Sequence, residues 1–199
     1  MTEEETLDAF RRLHFNKNVQ ERQAMSEKVD LQVTTNSGPI VGVLQKTFFN
    51  KVSYISYKGI PYAQPPIGPL RFKVNLNIVN PHHKYIARIT RIQPMTSLNQ
   101  LILSGAKTKS KLPVIFYIPG GAFVEEDGSD LYQEPDFMME ENVILVTINY
   151  RLGLFGFANF DAKYSIATGN MGLKDQREAF KWIKSNIDAF GGDPKTITI

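Results

Sequence analysis

An α/β fold is predicted for this chain, preceded by a small antiparallel ribbon. Two near-continuous apolar runs, Leu112–Ile118 and Val143–Ile148, suit strands buried on both faces of a parallel sheet. Between the second run and a third that opens at Thr196, Leu173, Phe180, Ile183 and Ile187 recur at helical spacing. Strand, helix, strand, helix, strand is the order from which an α/β sheet is built.

Residues 1–29 are charged, with apolar Leu7, Phe10 and Leu13, and are expected to form a separate arm, a loosely held helix. The domain proper is expected over 30–199. Leu31–Thr35 and Pro39–Leu44 are β-rich and flank Asn36-Ser37-Gly38, a turn signal, so they predict a hairpin; Val52–Tyr57 is a third β-rich run of the ribbon. Pro61, Pro65, Pro66 and Pro69 then impose an irregular, extended path through residue 71. Residues 73–111 are polar and show no clear element. Glu134–Glu140 reads as a short helix with Pro135 near its first turn. The Leu173–Ile187 stripe predicts a helix of about five turns whose apolar face, with Trp182, is core, and Gly191 is placed to cap its C-terminus.

Composition sets the limits. With 199 residues, 42% hydrophobic and 22% charged, the chain is long enough to bury one sizeable core. The net charge of +3 is a mild excess, and its clearest cluster, Lys107, Lys109 and Lys111, has no aromatic residues interleaved with it. A solvated loop is the reading, and no nucleic-acid partner is expected. The absence of cysteine excludes disulfides and thiolate zinc sites. His14, His82 and His83 lack ligand spacing, so no metal and no cofactor is expected. Gly191–Thr196 superficially suggests a phosphate loop but lacks the Gly-x4-Gly-Lys-Ser/Thr spacing. The acidic start Met1-Thr2-Glu3-Glu4-Glu5 is unlike a signal peptide, and no stretch approaches the ~20 apolar residues of a membrane span. No membrane partner and a cytoplasmic address are the expectations.

Five short motifs in order carry a family resemblance. They are Gly59-Ile60-Pro61-Tyr62-Ala63 with Pro65-Pro66-x-Gly68 and Leu70-Arg71-Phe72; Pro119-Gly120-Gly121-Ala122-Phe123; Asn149-Tyr150-Arg151-Leu152-Gly153 with Gly156-Phe157; Gly169–Gln176; and Phe190-Gly191-Gly192-Asp193-Pro194. The chain resembles the N-terminal portion of the type-B carboxylesterases, a branch of the α/β-hydrolases that includes cholinesterases and insect α-esterases. The resemblance implies an incomplete α/β-hydrolase fold with a truncated central mixed sheet. It implies hydrolysis of small-molecule carboxylic esters through an acyl-enzyme. Such chemistry needs a nucleophile, a base, an acid that orients the base, and N–H donors for the oxyanion. By resemblance Gly121 and Ala122 supply loop donors and Gly120 allows the turn, while Phe123 and Tyr62 line the substrate pocket. Taken alone, Gly120-Gly121 is equally a tight turn after a strand, and Arg151 and Asp175 read as a structural ion pair or helix N-terminal charge.

The chain also departs from the family pattern. Pro119 stands where the family commonly has His, and it brings no N–H and a fixed φ. Residues 73–111 are short, so a central strand is expected to be lost or replaced. The chain ends at Ile199, before the family's Ser, acidic residue and His, so as written it is expected to be inactive; the alternative reading is a non-catalytic binding member. Phe155, Phe157, Phe160 and Phe190 are expected to lack partners, which predicts a marginal chain that self-associates through exposed apolar sheet faces.

Overall fold

The computed structural model describes residues 31–73, 85–86, 99–105, 110–125, 135–160 and 169–199. The expected N-terminal arm, the three histidines, Lys107 and Lys109 lie outside those residues.

Two sheets form. In the smaller, β1 (Gln32–Thr35) pairs antiparallel with β2 (Gly38–Val41) around the Asn36-Ser37 turn. A two-residue strand, β5 (Tyr85–Ile86), adds parallel to β2. The larger sheet contains β3 (Val43–Lys46), β4 (Ser53–Pro61), β6 (Asn99–Gly105), β7 (Leu112–Tyr117), β8 (Ile144–Ile148) and β9 (Gly192–Thr198), in the order β3-β4-β6-β8-β7-β9. The pairs from β3 to β8 are antiparallel, and β8-β7-β9 is parallel. The predicted ribbon and α/β sheet are both present, as one mixed sheet with a small antiparallel addition.

The ribbon is smaller than expected. Pro39–Leu44 is not one strand, because Gly42 breaks it and sends the chain from one sheet into the other. The Gly42 N–H bonds the Leu31 carbonyl at 2.8 Å. A Cβ at Gly42 would lie 2.5 Å from Ile55 Cγ2, so the crossing against β4 requires glycine. The run from Val52 belongs to the large sheet and continues to Pro61.

Among the described residues, a strand does fill the centre of the sheet. The polar stretch 73–111 hides β6, which lies between β4 and β8. Its Ile102 and Leu103 are buried on opposite faces, and buried Ser104 donates to the Phe190 carbonyl at 2.8 Å.

Among the described residues, three α-helices accompany the sheet: α1 (Asp136–Met139), α2 (Gly153–Phe157) and α3 (Met171–Asn186). A 3₁₀ turn, Ile187–Phe190, continues α3 and ends at Gly191 with φ 86°. The main core joins Val114, Phe116, Val146 and Ile148 to Ala179, Trp182, Ile183 and Ile187. On the opposite face, Tyr54, Leu103 and Leu145 pack with Met139 of α1. No helix among the described residues is long and apolar enough to cross a membrane.

Three expectations need correction. β8 is buried on both faces, but β7 alternates, with Pro113 and Tyr117 exposed. Leu173 is 45% exposed, whereas Ile183 and Ile187 are fully buried. The four phenylalanines do meet other rings, although Phe155 and Phe160 stay exposed. Phe190 meets Tyr57 edge-on at 4.9 Å, Phe157 lies 4.7 Å from Phe123, and Phe155 and Phe160 both pack against Phe72.

Hydrogen bonds tie the hairpin to α3. The Asn36 N–H donates to Asn186 Oδ1 at 2.8 Å, and Trp182 Nε1 donates to Ser37 Oγ at 2.9 Å. The turn between β3 and β4 is tied to α1 through Glu140, which accepts from the Asn50 N–H at 3.3 Å and from Asn50 Nδ2. Hydrogen bonding from the Thr47 side chain, then from Asn50, holds the Glu140 carboxyl below its usual range. A lowered folded pKa contributes stability above the unfolded value and loses it as pH falls through the folded value. The protection factor of the Asn50 amide is therefore expected to fall as pH drops below about 4.3, the unfolded value, and through the lower folded value. Exchange rates read between pH 6 and pH 3 check this; a protection factor flat across that range would contradict it.

Candidate active site

The C-terminal ends of β8, β7 and β9 lie side by side, because Tyr117 is in register with Thr147, and Ile115 with Thr198. In open α/β sheets, ligands bind beyond such ends. Pro119–Glu125 is the turn that leaves β7 there.

The turn is left-handed over three consecutive residues, with φ 94° at Gly121, 52° at Ala122 and 65° at Phe123. For a residue with a Cβ, such a conformation costs about 1–3 kcal/mol and persists only where its surroundings fix it. The Gly121 carbonyl accepts from the N–H groups of Val124 at 3.0 Å and Glu125 at 3.2 Å. Among the described residues, the N–H groups of Gly120, Gly121 and Ala122 donate to no backbone carbonyl. Successive N–H groups in such a turn make an anion-binding concavity. Gly120, Ala122 and Phe123 are exposed, and Gly121 is half-buried.

The segment after β8 holds this turn. Tyr150 Oη donates to the buried Pro119 carbonyl at 3.1 Å. The Gly153 N–H donates to the Phe123 carbonyl at 2.6 Å. Gly153 opens α2 at φ 53°.

Beneath lies a buried ion pair. Arg151 Nε and Nη2 each donate to Asp175 at 2.7 Å, and the Arg151 N–H donates at 3.2 Å. Both side chains are almost completely buried, with 1% and 2% exposed. Burial pushes the Asp175 carboxyl above its usual range, against the opposing pull of the Arg151 hydrogen bonds and charge. Arg151 Nη1 is buried and has no hydrogen-bond partner among the described residues. The structural ion pair expected for these two residues is therefore present.

The profile of the carboxylesterase family matches residues 29–75 and 74–199. The chain belongs to the carboxylesterase family. It is 35% identical to esterase B1 of Culex pipiens, covering 85% of this chain and 34% of that protein. It is 37% identical to juvenile hormone esterase of Tribolium castaneum, covering 84% and 31%. Among solved structures, a thermophilic PNB esterase matches with a TM-score of 0.73 at 32% identity, over 85% of this chain and 38% of that one. Juvenile hormone esterase of Manduca sexta, solved with OTFP covalently attached, matches with a TM-score of 0.73 at 27% identity, over 84% and 34%. The chain thus spans about a third of the length of the relatives it matches. Its neighbours have the α/β-hydrolase fold expected from the motifs.

Within this carboxylesterase framework, Gly120, Gly121, Ala122 and Phe123 share the turn after β7. Tyr62 is completely buried. Its hydroxyl donates to the Asn149 carbonyl at 2.6 Å. Burial first, then the charge of Asp175, pushes that hydroxyl's pKa well up, with Arg151 opposing. Tyr150, Gly153 and Phe157 all fall inside the quoted motif block, yet the motif alone gives them no role at the turn. The signal was there: a polar-tipped aromatic and two glycines crowded immediately after a buried strand.

Proposed function

We propose that this chain carries the oxyanion loop of a serine carboxylic ester hydrolase, acting on small-molecule esters through an acyl-enzyme. The observation that carries this is the left-handed run Gly121-Ala122-Phe123 at the ends of three parallel strands. Donors fixed where negative charge develops stabilise a tetrahedral intermediate, and losing one costs about a hundred- to a thousandfold in kcat. The Gly121 and Ala122 N–H groups take that role, with Gly120 shaping the approach and Phe123 forming apolar surface at the rim. The covalent OTFP in the Manduca sexta relative supports a route through a covalent intermediate. No Gly-x-Ser-x-Gly occurs among the 199 residues. The 199 residues accordingly carry the loop side of that machinery. The chain's tendency to self-associate is proposed on the sheet face that leaves Pro113 and Tyr117 exposed.

A graft tests the loop. Residues 112–157 of this chain replace the matching segment of the Bacillus subtilis para-nitrobenzyl esterase, a relative at 35% identity. The chimera is expected to hydrolyse a p-nitrobenzyl ester with kcat within about tenfold of the parent, less than the loss of one donor. A folded chimera slowed a hundredfold or more would show that the turn does not supply its donors. That outcome would favour a binding member of the family that does not hydrolyse esters.

A further inference from the structure

We propose that Tyr150 is a positioning residue for the turn 119–125, holding the Gly121 and Ala122 N–H groups where an oxyanion forms. This rests on reading that turn as an oxyanion loop.

Three consecutive left-handed residues, two of them carrying a Cβ, do not hold their shape unaided. The turn must be gripped at both ends. At its start, Pro119 has no N–H, so its carbonyl is the one backbone polar group available there. That residue is buried, and a buried carbonyl without a donor is costly. Tyr150 Oη supplies the donor at 3.1 Å. At the other end, the Gly153 N–H takes the Phe123 carbonyl at 2.6 Å, and the Phe157 ring lies 4.7 Å from that of Phe123.

All three grips come from one segment, 150–157. Between Tyr150 and Gly153 in that segment lies Arg151, clamped to α3 by three hydrogen bonds to Asp175. The turn is thus referenced to a rigid block rather than to solvent-exposed chain. The Pro119 departure also finds a physical role: it removes a donor from the turn but leaves the acceptor that Tyr150 holds. Tyr62 is a built-in contrast. It too is a buried tyrosine with its hydroxyl on a backbone carbonyl, but that carbonyl is Asn149, at the end of β8 and outside the turn.

Amide exchange in the 199-residue chain tests the proposal. Tyr150→Phe keeps the ring and removes the hydroxyl. Exchange of the Val124, Glu125 and Gly153 N–H groups, all hydrogen-bonded at the turn, is expected to accelerate roughly tenfold, the scale of one hydrogen bond. Amides of β8 and α3 should keep their rates. Tyr62→Phe should leave Val124 and Glu125 unchanged. In the active chimera, Tyr150→Phe is expected to lower kcat about tenfold with KM held, since misplaced donors weaken transition-state binding alone. Unchanged exchange at the three amides, or equal acceleration throughout β8 and α3, overturns the role of Tyr150. If the parent chimera is itself inactive, the oxyanion reading falls and takes the proposal with it. If that parent is active and the local exchange pattern is absent, only the role of Tyr150 falls.

Discussion

Replacing Asp175 with Asn is expected to destabilise the chain by about 3–5 kcal/mol, the cost of leaving a buried charge uncompensated. Natural domains have only about 5–15 kcal/mol in total, so the variant should be close to unfolding at room temperature. Asn fits the space but not the chemistry. Arg151 presents Nε, Nη2 and its backbone N–H to the two carboxylate oxygens. An amide offers one acceptor oxygen and turns an NH2 group towards the remaining donors. Burial has raised the Asp175 pKa, yet a neutral amide does not suit the site. A protonated carboxyl keeps acceptor capacity beside its one O–H donor, whereas an amide nitrogen accepts nothing. The sign of the pH dependence follows. With the folded pKa raised, the native state binds the proton more tightly than the unfolded chain does. The contribution of Asp175 is fully present below its unfolded value of about 3.9 and is lost as pH rises through the folded pKa. Asn does not titrate there, so the gap between wild type and variant should widen on acidification through that window. Urea midpoints at two pH values, with unchanged m, measure it. Exchanging both partners, Arg151→Met with Asp175→Leu, should cost less than the single change, because no charge is then stranded. A single variant within about 1 kcal/mol of wild type, small beside the cost of a stranded charge, would show that Arg151 finds another partner.

Much of this architecture is legible in the residues. Val143–Ile148 is apolar except for Thr147, and its Ile144–Ile148 is buried on both faces. Asn36-Ser37-Gly38 gives the hairpin, and Gly191 adopts the left-handed conformation its position past a helical stripe suggests. What was hidden follows from where polar groups sit. β6 carries Asn99, Gln100 and Ser104 on a strand in the middle of the sheet, because Ser104 is satisfied by the Phe190 carbonyl. An apolar count cannot see a buried hydroxyl with a partner. Likewise the buried face of α3 runs through Met171, Asp175, Glu178, Ala179, Trp182 and Asn186. An apolar stripe skips its polar members and places Leu173 inside by spacing alone. The ion pair at Asp175 and the Asn186 bond to the hairpin are what bring those residues in. For the site, the motif located the turn, but its left-handed shape and its grips depend on pairings across the fold that no spacing encodes.

Gly156→Ala should be the next most damaging change, at about 3 kcal/mol, the upper end of the usual overpacking range. In an exposed helix the same substitution would be favourable by about 1 kcal/mol. Here the added Cβ would overlap the Arg151 carbonyl oxygen and lie 2.6 Å from its carbon. Both are backbone atoms, so no rotamer relieves the clash. From the other side, a Cβ at Gly172 would meet the same oxygen at 2.5 Å and the Phe157 ring at 2.7 Å. The Arg151 carbonyl is therefore pinched between α2 and α3, at the one place where both helices lack side chains. Displacing α2 is the available relief, and α2 begins with Gly153 and ends with Phe157, both of which bear on Phe123. The consequence should reach the turn: faster exchange at Gly153 and, in the chimeric esterase, a fall in kcat that exceeds the loss from Tyr150→Phe. Gly172→Ala meets the same backbone oxygen and only its Phe157 contact can give, so it should be nearly as damaging. Gly68→Ala provides the comparison, since a Cβ there meets nothing within 4 Å and only its φ of 53° is strained. Equal costs at Gly156 and Gly68 would mean that backbone conformation, and not close approach to Arg151, sets the requirement for glycine. In that case the packing of α2 would not be what transmits position to the turn.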